Sequence, residues 1–154
     1  MTLYLVRHAK AGHRSSWDGD DRQRPLSRNG RAQAELLAER LAGVAPTDLI
    51  SSPSVRCVQT LEPLAAVTGA AITLDDRLFE DQPFEPVLDL LSKTPDGAVL
   101  CTHGDIVPDA IGALERRGME IRSEPDWRKG TVWVLERDLD GAFVRATVWP
   151  PPLS

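Results

Sequence analysis

An arginine and a histidine stand side by side near the start of the chain, directly after a short apolar run. The run is Leu3–Val6, and the two polar residues are Arg7 and His8. Arginine keeps its positive charge at neutral pH and presents planar donors that match the oxygens of a phosphate group. A neutral imidazole nitrogen can attack phosphorus as a nucleophile. The pair therefore predicts a site that binds a small anion and acts on a phosphoryl group.

Two later segments repeat this arrangement. His103 and Gly104 follow the apolar run Ala98–Cys101, and Arg56 lies in S-S-P-S-V-R-C-V-Q-T, at the end of the segment Asp48–Ser51. In open α/β sheets, ligand sites lie beyond the carboxyl ends of the strands, so neighbouring strands would bring both histidines to one point. We expect Arg56 to bind the phosphoryl oxygens and His103 to stabilise charge on the group during transfer.

The two arginines also affect the protonation of His8. Like-charge repulsion from Arg7 and Arg56 is expected to lower the pKa of His8 and leave a ring lone pair free near neutral pH. The other ring nitrogen needs an orienting acceptor, for which we expect a backbone carbonyl of the following loop.

Each of these residues also has a purely structural interpretation. A histidine at a strand end is more often a hydrogen-bonding residue than a catalyst, and a single arginine is most often a surface charge. A zinc site built from His8, His13 and carboxylates is a further alternative. The spacing of the two histidines matches neither H-E-x-x-H nor C-x-x-C, so we expect no metal and no other cofactor.

The elements that must position these residues alternate along the chain. Short segments typical of buried strands are separated by segments with apolar residues at helical spacing. The predicted strands are Leu3–Val6, Asp48–Ser51, Ala71–Leu74 and Ala98–Cys101. The helical stripes cover residues 34–41, about 54–68, 84–91 and 107–114. Pro63 is expected to bend or divide the second of these helices.

The C-terminal part predicts a β-hairpin, because Thr131–Leu135 and Ala142–Trp149 flank the turn dipeptide Asp140-Gly141. The whole pattern predicts a three-layer α/β/α fold with a mostly parallel central sheet, to which the hairpin adds an antiparallel edge. A chain of 154 residues suits one domain, covering residues 1–154. The long polar segment Ala9–Pro25 is expected to act on a ligand or to be disordered.

Composition narrows the class of protein. The net charge is −5, which argues against broad nucleic-acid binding, yet the first 31 residues carry seven basic and three acidic side chains. That local excess predicts a focused site for a small anion. No segment is apolar enough for a membrane span or a signal peptide, so we expect a cytoplasmic protein with no membrane partner. Cys57 and Cys101 are expected to be reduced core residues.

Four segments in order, L-V-R-H-A-K-A, R-P-L-S-R-N-G, S-S-P-S-V-R-C-V-Q-T and T-H-G-D, resemble the histidine phosphatase superfamily. Its fold is the phosphoglycerate mutase-like one, and the resemblance is strongest to the short SixA-type phosphohistidine phosphatases. It implies that His8 is the nucleophile and carries the phosphoryl group transiently. It also implies that Arg7, Arg56 and His103 form the phosphate pocket.

The same resemblance bears on the remaining site residues. The family's usual general acid lies in the loop after the third strand, where Glu80 is the candidate, Asp81 is an alternative, and a surface or capping role is equally open. Members that act on sugar phosphates commonly have asparagine six residues after the nucleophile, where this chain has Arg14, which argues against mutase activity. Lys10, Arg14 and Gly104 are expected to contact or steer the substrate.

The expected activity is hydrolysis of phosphohistidine in a phosphorylated protein, releasing inorganic phosphate. A second resemblance, to the phosphatase-like domain of some actinobacterial Nudix hydrolases, makes a nucleotide or other small phosphorylated metabolite the alternative substrate. Four side chains could then stack on a base: Arg14, Trp17, Arg22 and Trp127. A different class of function is a non-catalytic module that binds phosphate, although binding alone needs only the arginines.

Overall fold

The computed structural model describes residues 1–152 of the chain, in which strands and helices alternate as predicted. The strands are β1 Thr2–Arg7, β2 Leu49–Ser51, β3 Ile72–Leu74, β4 Val99–Thr102, β5 Glu120–Ile121, β6 Val132–Arg137 and β7 Phe143–Trp149. The α-helices are α1 Arg28–Ala42, α2 Val55–Thr68, α3 Phe84–Lys93 and α4 Ile106–Arg116. None of the helices in residues 1–152 is long and apolar enough to cross a membrane.

The strands form one seven-stranded sheet in the order β3-β2-β4-β1-β6-β7-β5. The first four along this order are parallel, and β6 pairs antiparallel with both β1 and β7. The fold class predicted from the sequence is therefore confirmed, including the antiparallel C-terminal hairpin. The two-residue strand β5, which pairs parallel with β7, was not predicted because it is too short to show alternation.

The helices cover both faces of the sheet. Alternating residues of β1 separate the two cores: Leu3 and Leu5 pack with α3 and α4, whereas Tyr4 and Val6 pack with α1 and α2. Strands buried on both faces explain the continuous apolar runs in the sequence. Both cysteines are buried and free, as expected.

Two helices differ from the sequence-based expectation. Helix α1 begins six residues before the apolar stripe, because the Ser27 side chain accepts a hydrogen bond from the Gly30 amide, 3.1 Å away, and caps the first turn. Helix α2 continues across Pro63, so the proline, which was expected to bend or divide the helix, does not divide it. Leu61 and Leu64 are buried on either side of the proline, and their packing holds the helix together although proline removes one backbone hydrogen bond.

The segment from Ala9 to Pro25 is ordered in this structure and contains two short 3₁₀ turns, Arg14–Ser16 and Asp21–Gln23. Its start and end are joined by a β-bridge between Ala11 and Leu26. A side chain at Gly30 would collide with the carbonyl oxygen of Lys10, so glycine there lets the segment pass against α1. The segment is thereby held beside the carboxyl ends of β1 and β4.

Candidate active site

The two histidines predicted to converge lie next to each other at the carboxyl ends of neighbouring strands. Strands β1 and β4 are parallel and pair Arg7 with Thr102, which places His8 and His103 one residue further on. Their ring centroids are 5.5 Å apart and their planes meet at 68°. Both side chains are almost fully buried, with 5% of His8 and 1% of His103 exposed.

The imidazole of His8 is oriented by the backbone of the next residue. Its Nδ1 lies 2.7 Å from the Ala9 carbonyl oxygen, so Nδ1–H donates to that oxygen and Nε2 keeps its lone pair. The pKa of His8 is held well below its ordinary value, chiefly by burial. Positive charge on His103, Arg56 and Arg7 lowers it further. The predicted direction is right, but burial outweighs the charge repulsion on which the prediction relied.

Arg7 brings its guanidinium to the same cavity. Its Nη1 donates to the carbonyl oxygen of Trp127 at 2.5 Å, and its flat face rests against the backbone of Gly104. A Cβ atom built on Gly104 would lie 2.5 Å from Arg7 Cζ, so only glycine leaves room for this position. Gly104, which was predicted to contact substrate, therefore leaves the space that the Arg7 guanidinium occupies.

Arg56 lies in the first turn of α2 and is 1% exposed. It donates to the backbone oxygen of Asp21 at 2.8 Å and forms ion pairs with the carboxylates of Asp21 and Glu80. Among residues 1–152, two buried side-chain donors lack a hydrogen-bond partner, and they are the Nε atoms of Arg56 and Arg7. Buried N–H groups without partners are costly, and a bound anion would satisfy them.

His103 contacts different groups through its two ring nitrogens. Nε2 lies 2.9 Å from Ser52 Oγ and 3.6 Å from Cys57 Sγ, beneath the cavity floor. Nδ1 lies 3.5 Å from a carboxylate oxygen of Glu80. The ring is thus held on one side while its Nδ1 edge is directed to the charged groups of the site.

Glu80 lines the cavity, whereas Asp81 lines only a neighbouring one and donates its backbone N–H to Asp105. Burial raises the pKa of Glu80, but the charges of His103, Arg14 and Arg56 outweigh that effect and hold the pKa below its ordinary value. Without ligand the carboxylate is therefore ionised. A general acid must instead be protonated. A bound phosphate dianion would favour protonation, because its negative charge offsets the positive charges that lower the pKa of Glu80.

These residues surround a cavity of about 410 Å³ that opens at the carboxyl ends of β1 and β4. Seven of its lining residues were predicted from the sequence: Arg7, His8, Arg14, Arg56, Glu80, His103 and Gly104. Lys10, which was predicted to contact or steer the substrate, does not line it. The carbonyl oxygen of Lys10 accepts hydrogen bonds from the backbone N–H and the hydroxyl of Ser27, the N-cap of α1. The roles proposed for these side chains remain predictions.

Comparison with known proteins shows the family to which the chain belongs. Residues 3–82 match the family described as "Histidine phosphatase superfamily (branch 1)". The chain belongs to the histidine phosphatase superfamily. The "8-oxo-(d)GTP phosphatase" of Mycolicibacterium smegmatis is 38% identical over 98% of this chain and 48% of its own length. This chain therefore spans about half the length of that relative.

Solved structures of two other phosphatases share the fold. The protein histidine phosphatase SixA complexed with tungstate superimposes with a TM-score of 0.76 at 20% identity, covering 97% of this chain and 94% of the other. A mycobacterial glucosyl-3-phosphoglycerate phosphatase complexed with VO3 gives 0.70 at 18% identity, covering 97% and 99%. At such identities the likeness establishes the fold, and the substrate has to be argued from the site.

In and around the cavity are residues that the sequence did not predict. Lys129 and Arg24 line the cavity, and Asp21, beside it, pairs with Arg56 and Arg24. Thr60 in α2 accepts a hydrogen bond from the Ala9 amide at 3.0 Å and so fixes the peptide that orients His8. Only the excess of charge in the first 31 residues hinted at Asp21 and Arg24, and no periodic pattern pointed to Lys129.

The structure also bears on the alternative sites raised by the sequence. Within residues 1–152, no group of three or more His, Cys, Asp or Glu side chains could hold a metal ion. Trp127 stacks on Trp133, with centroids 4.9 Å apart, and lines a separate groove. Trp17 donates to the Asp20 carbonyl oxygen, and Arg22 covers Phe79 in the adjoining cavity. Neither tryptophan lines the main cavity, so the predicted stacking of a base on these rings has no support there.

Proposed function

We propose that this chain is a phosphohydrolase in which His8 is the nucleophile and a phosphohistidine is the intermediate. One observation carries the proposal. A neutral His8, with Nδ1–H bound to Ala9 and Nε2 free, lies in a cavity beside two guanidinium groups that each have a buried, unpartnered N–H. A module that only binds phosphate needs the guanidinium groups but gains nothing from a free imidazole nitrogen.

In the first step, Nε2 of His8 attacks phosphorus, and the bond from phosphorus to the leaving group breaks. Arg7 and Arg56 hold the equatorial oxygens, where their charge stabilises the transferring group. Their unpartnered Nε–H groups supply donors that need no rearrangement. Nδ1–H of His8 continues to donate its hydrogen bond to the Ala9 carbonyl oxygen, and this bond stabilises the positive charge that develops on the ring.

In the second step, water attacks the phosphohistidine and inorganic phosphate leaves. We expect the ionised carboxylate of Glu80, which lines the cavity 3.5 Å from His103 Nδ1, to accept the water proton. The two arginines provide the positive charge that a metal ion provides in other phosphatases. We therefore expect turnover to persist in the presence of a chelator.

The first substrate class we propose is a small phosphorylated metabolite, such as a nucleotide. The support is the 38% identity to a relative named as an 8-oxo-(d)GTP phosphatase, over nearly the whole of this chain. Phosphohistidine in a protein is the second candidate, because an ionised Glu80 favours leaving groups that depart without a proton. We also propose that residues 1–154 form one histidine phosphatase domain.

The test compares kcat/KM for an aryl phosphate, a phosphohistidine peptide, nucleotides and sugar phosphates, with a chelator present. We expect turnover in the wild type and a loss of at least about 10³-fold in His8→Ala. Lys93→Met, on the exposed face of α3, serves as the control for handling and charge. Full activity of His8→Ala would overturn the mechanism, and phosphate binding without any turnover in the wild type would support the non-catalytic module.

A further inference from the structure

A lysine outside the sequence-predicted site lies on the wall of the active-site cavity. Lys129 is in the segment between β5 and β6, two residues after Trp127, whose carbonyl oxygen holds Arg7. The cavity volume of about 410 Å³ is in the range of pockets that take small organic ligands. The site therefore has room for more than the single phosphoryl group that His8 attacks.

Lys129 differs from Arg14, Arg24 and Arg56, which line the same cavity, in having no acidic partner. Arg14 pairs with Glu80 and Asp21, and Arg24 pairs with Asp21. In the part of the chain that the structure describes, the Lys129 side chain makes no hydrogen bond and no ion pair. The ammonium group of Lys129 is therefore available to bind an anionic ligand.

The surroundings of Lys129 are positive. Its pKa is lowered first by burial and then by the charges of Arg7, Arg24, Arg56 and Lys10. Placing an ammonium group among four cations costs folding free energy, and an anion bound beside it would recover part of that cost. A phosphoryl group held by both arginines leaves Lys129 available for a second anionic group.

The leaving group gives an independent constraint. Glu80 is ionised in the absence of ligand, so the site is poorly equipped to protonate an alkoxide. A phosphate leaving group is a weak base and departs as an anion. A cation beside the departing oxygen then does the work of an acid.

We propose that Lys129 binds a second phosphate group, next to the one that His8 attacks, and that the substrates are phosphoanhydrides, as in diphosphates. This inference rests on the proposed function. In the first step, the bond between Nε2 and the terminal phosphorus forms while the anhydride P–O bond breaks. The electron pair stays on the bridging oxygen, and the leaving phosphate is bound by Lys129. Water then hydrolyses the phosphohistidine to inorganic phosphate as before.

The test uses two ligands that cannot be hydrolysed, methylenediphosphonate and methylphosphonate, with a chelator present so that no divalent ion bridges them. Calorimetry gives the Kd of each ligand for the wild type, Lys129→Met and Lys129→Arg. Lys93→Met removes the same charge from the exposed face of α3 and is the matched control. Thermal melts establish that each variant is folded.

We expect the wild type to bind the diphosphonate about tenfold more tightly than the monophosphonate, since one charge-assisted contact is added. Lys129→Met should abolish that preference while changing the Kd of methylphosphonate less than about threefold. Lys129→Arg should keep it, and Lys93→Met should leave both values unchanged. An equal loss for both ligands would place Lys129 on the transferred group, and no loss for either would remove it from binding, so both results overturn the proposal.

Turnover separates this proposal from the function on which it rests. If the wild type hydrolyses an aryl phosphate but the Lys129 variants show no selective loss for the diphosphonate, only the second-phosphate site is wrong. If the wild type neither forms a phosphoenzyme nor turns over any phosphate compound, the proposed function itself fails.

Discussion

Replacing Gly104 by alanine should impair catalysis with little effect on folding. The new Cβ would lie 2.5 Å from Arg7 Cζ and Nη2 and 2.7 Å from Nε. Since ordinary contacts between such atoms begin near 3.5 Å, the guanidinium must move by about 1 Å. A displacement of that size at a catalytic group costs about 10²-fold in rate, or about 2.7 kcal/mol of transition-state stabilisation.

The assay for Gly104→Ala is kcat/KM on an aryl phosphate, alongside urea unfolding. The atoms that must move are the flexible end of Arg7, so we expect the free energy of unfolding to change by less than about 1 kcal/mol. Gly112→Ala is the matched control, because its Cβ would meet only Arg116 Nη1 at 3.4 Å. Activity of Gly104→Ala within a few-fold of the wild type would show that the position of Arg7 does not depend on Gly104. A loss of stability large enough to explain the loss of rate would also contradict the prediction.

Three further perturbations test other parts of the site. Glu80→Gln should slow the hydrolysis of the phosphohistidine about 10²-fold, because the base that accepts the water proton is lost, and rapid-quench trapping should then show phosphoenzyme accumulating. An unchanged rate of hydrolysis would exclude Glu80 as that base. Arg56→Ala should lower the free energy of unfolding in urea by about 2 kcal/mol, because the half-buried carboxylates of Asp21 and Glu80 lose this partner. An unchanged free energy of unfolding would contradict a stabilising role for these ion pairs. The third perturbation is pH: folded His8 has a pKa well below 6.5, so it stays neutral where the unfolded chain takes up a proton. Stability should therefore fall as pH drops from about 6.5 toward the lowered pKa, by up to about 1.4 kcal/mol per pH unit, and His8→Asn should remove that slope.

The sequence could predict the convergence of the histidines because the fold class alone specifies it. Short apolar runs alternating with helical stripes imply parallel strands, and parallel strands bring their carboxyl ends to one edge. His8 and His103 stand directly after two such runs, so only the adjacency of β1 and β4 had to be learned from the structure.

The charged contacts around Arg56 could not be predicted, for a physical reason. Asp21 is 35 residues from Arg56 and lies in a polar segment without periodicity, so nothing local links the two. Lys129 lies in a similar segment before β6 and reaches the cavity only through the tertiary fold. The main cause of the lowered His8 pKa was also hidden, because burial depends on packing from every side.

The role of His8 as the nucleophile can be tested by acid- and base-quenched trapping of the phosphoenzyme, followed by peptide mass spectrometry. We expect an acid-labile, base-stable phosphoryl group on the peptide that contains His8, formed within one turnover and absent from His8→Ala. A phosphoryl group on another residue, or turnover that passes through no phosphoenzyme, would contradict the assignment of His8 as the nucleophile.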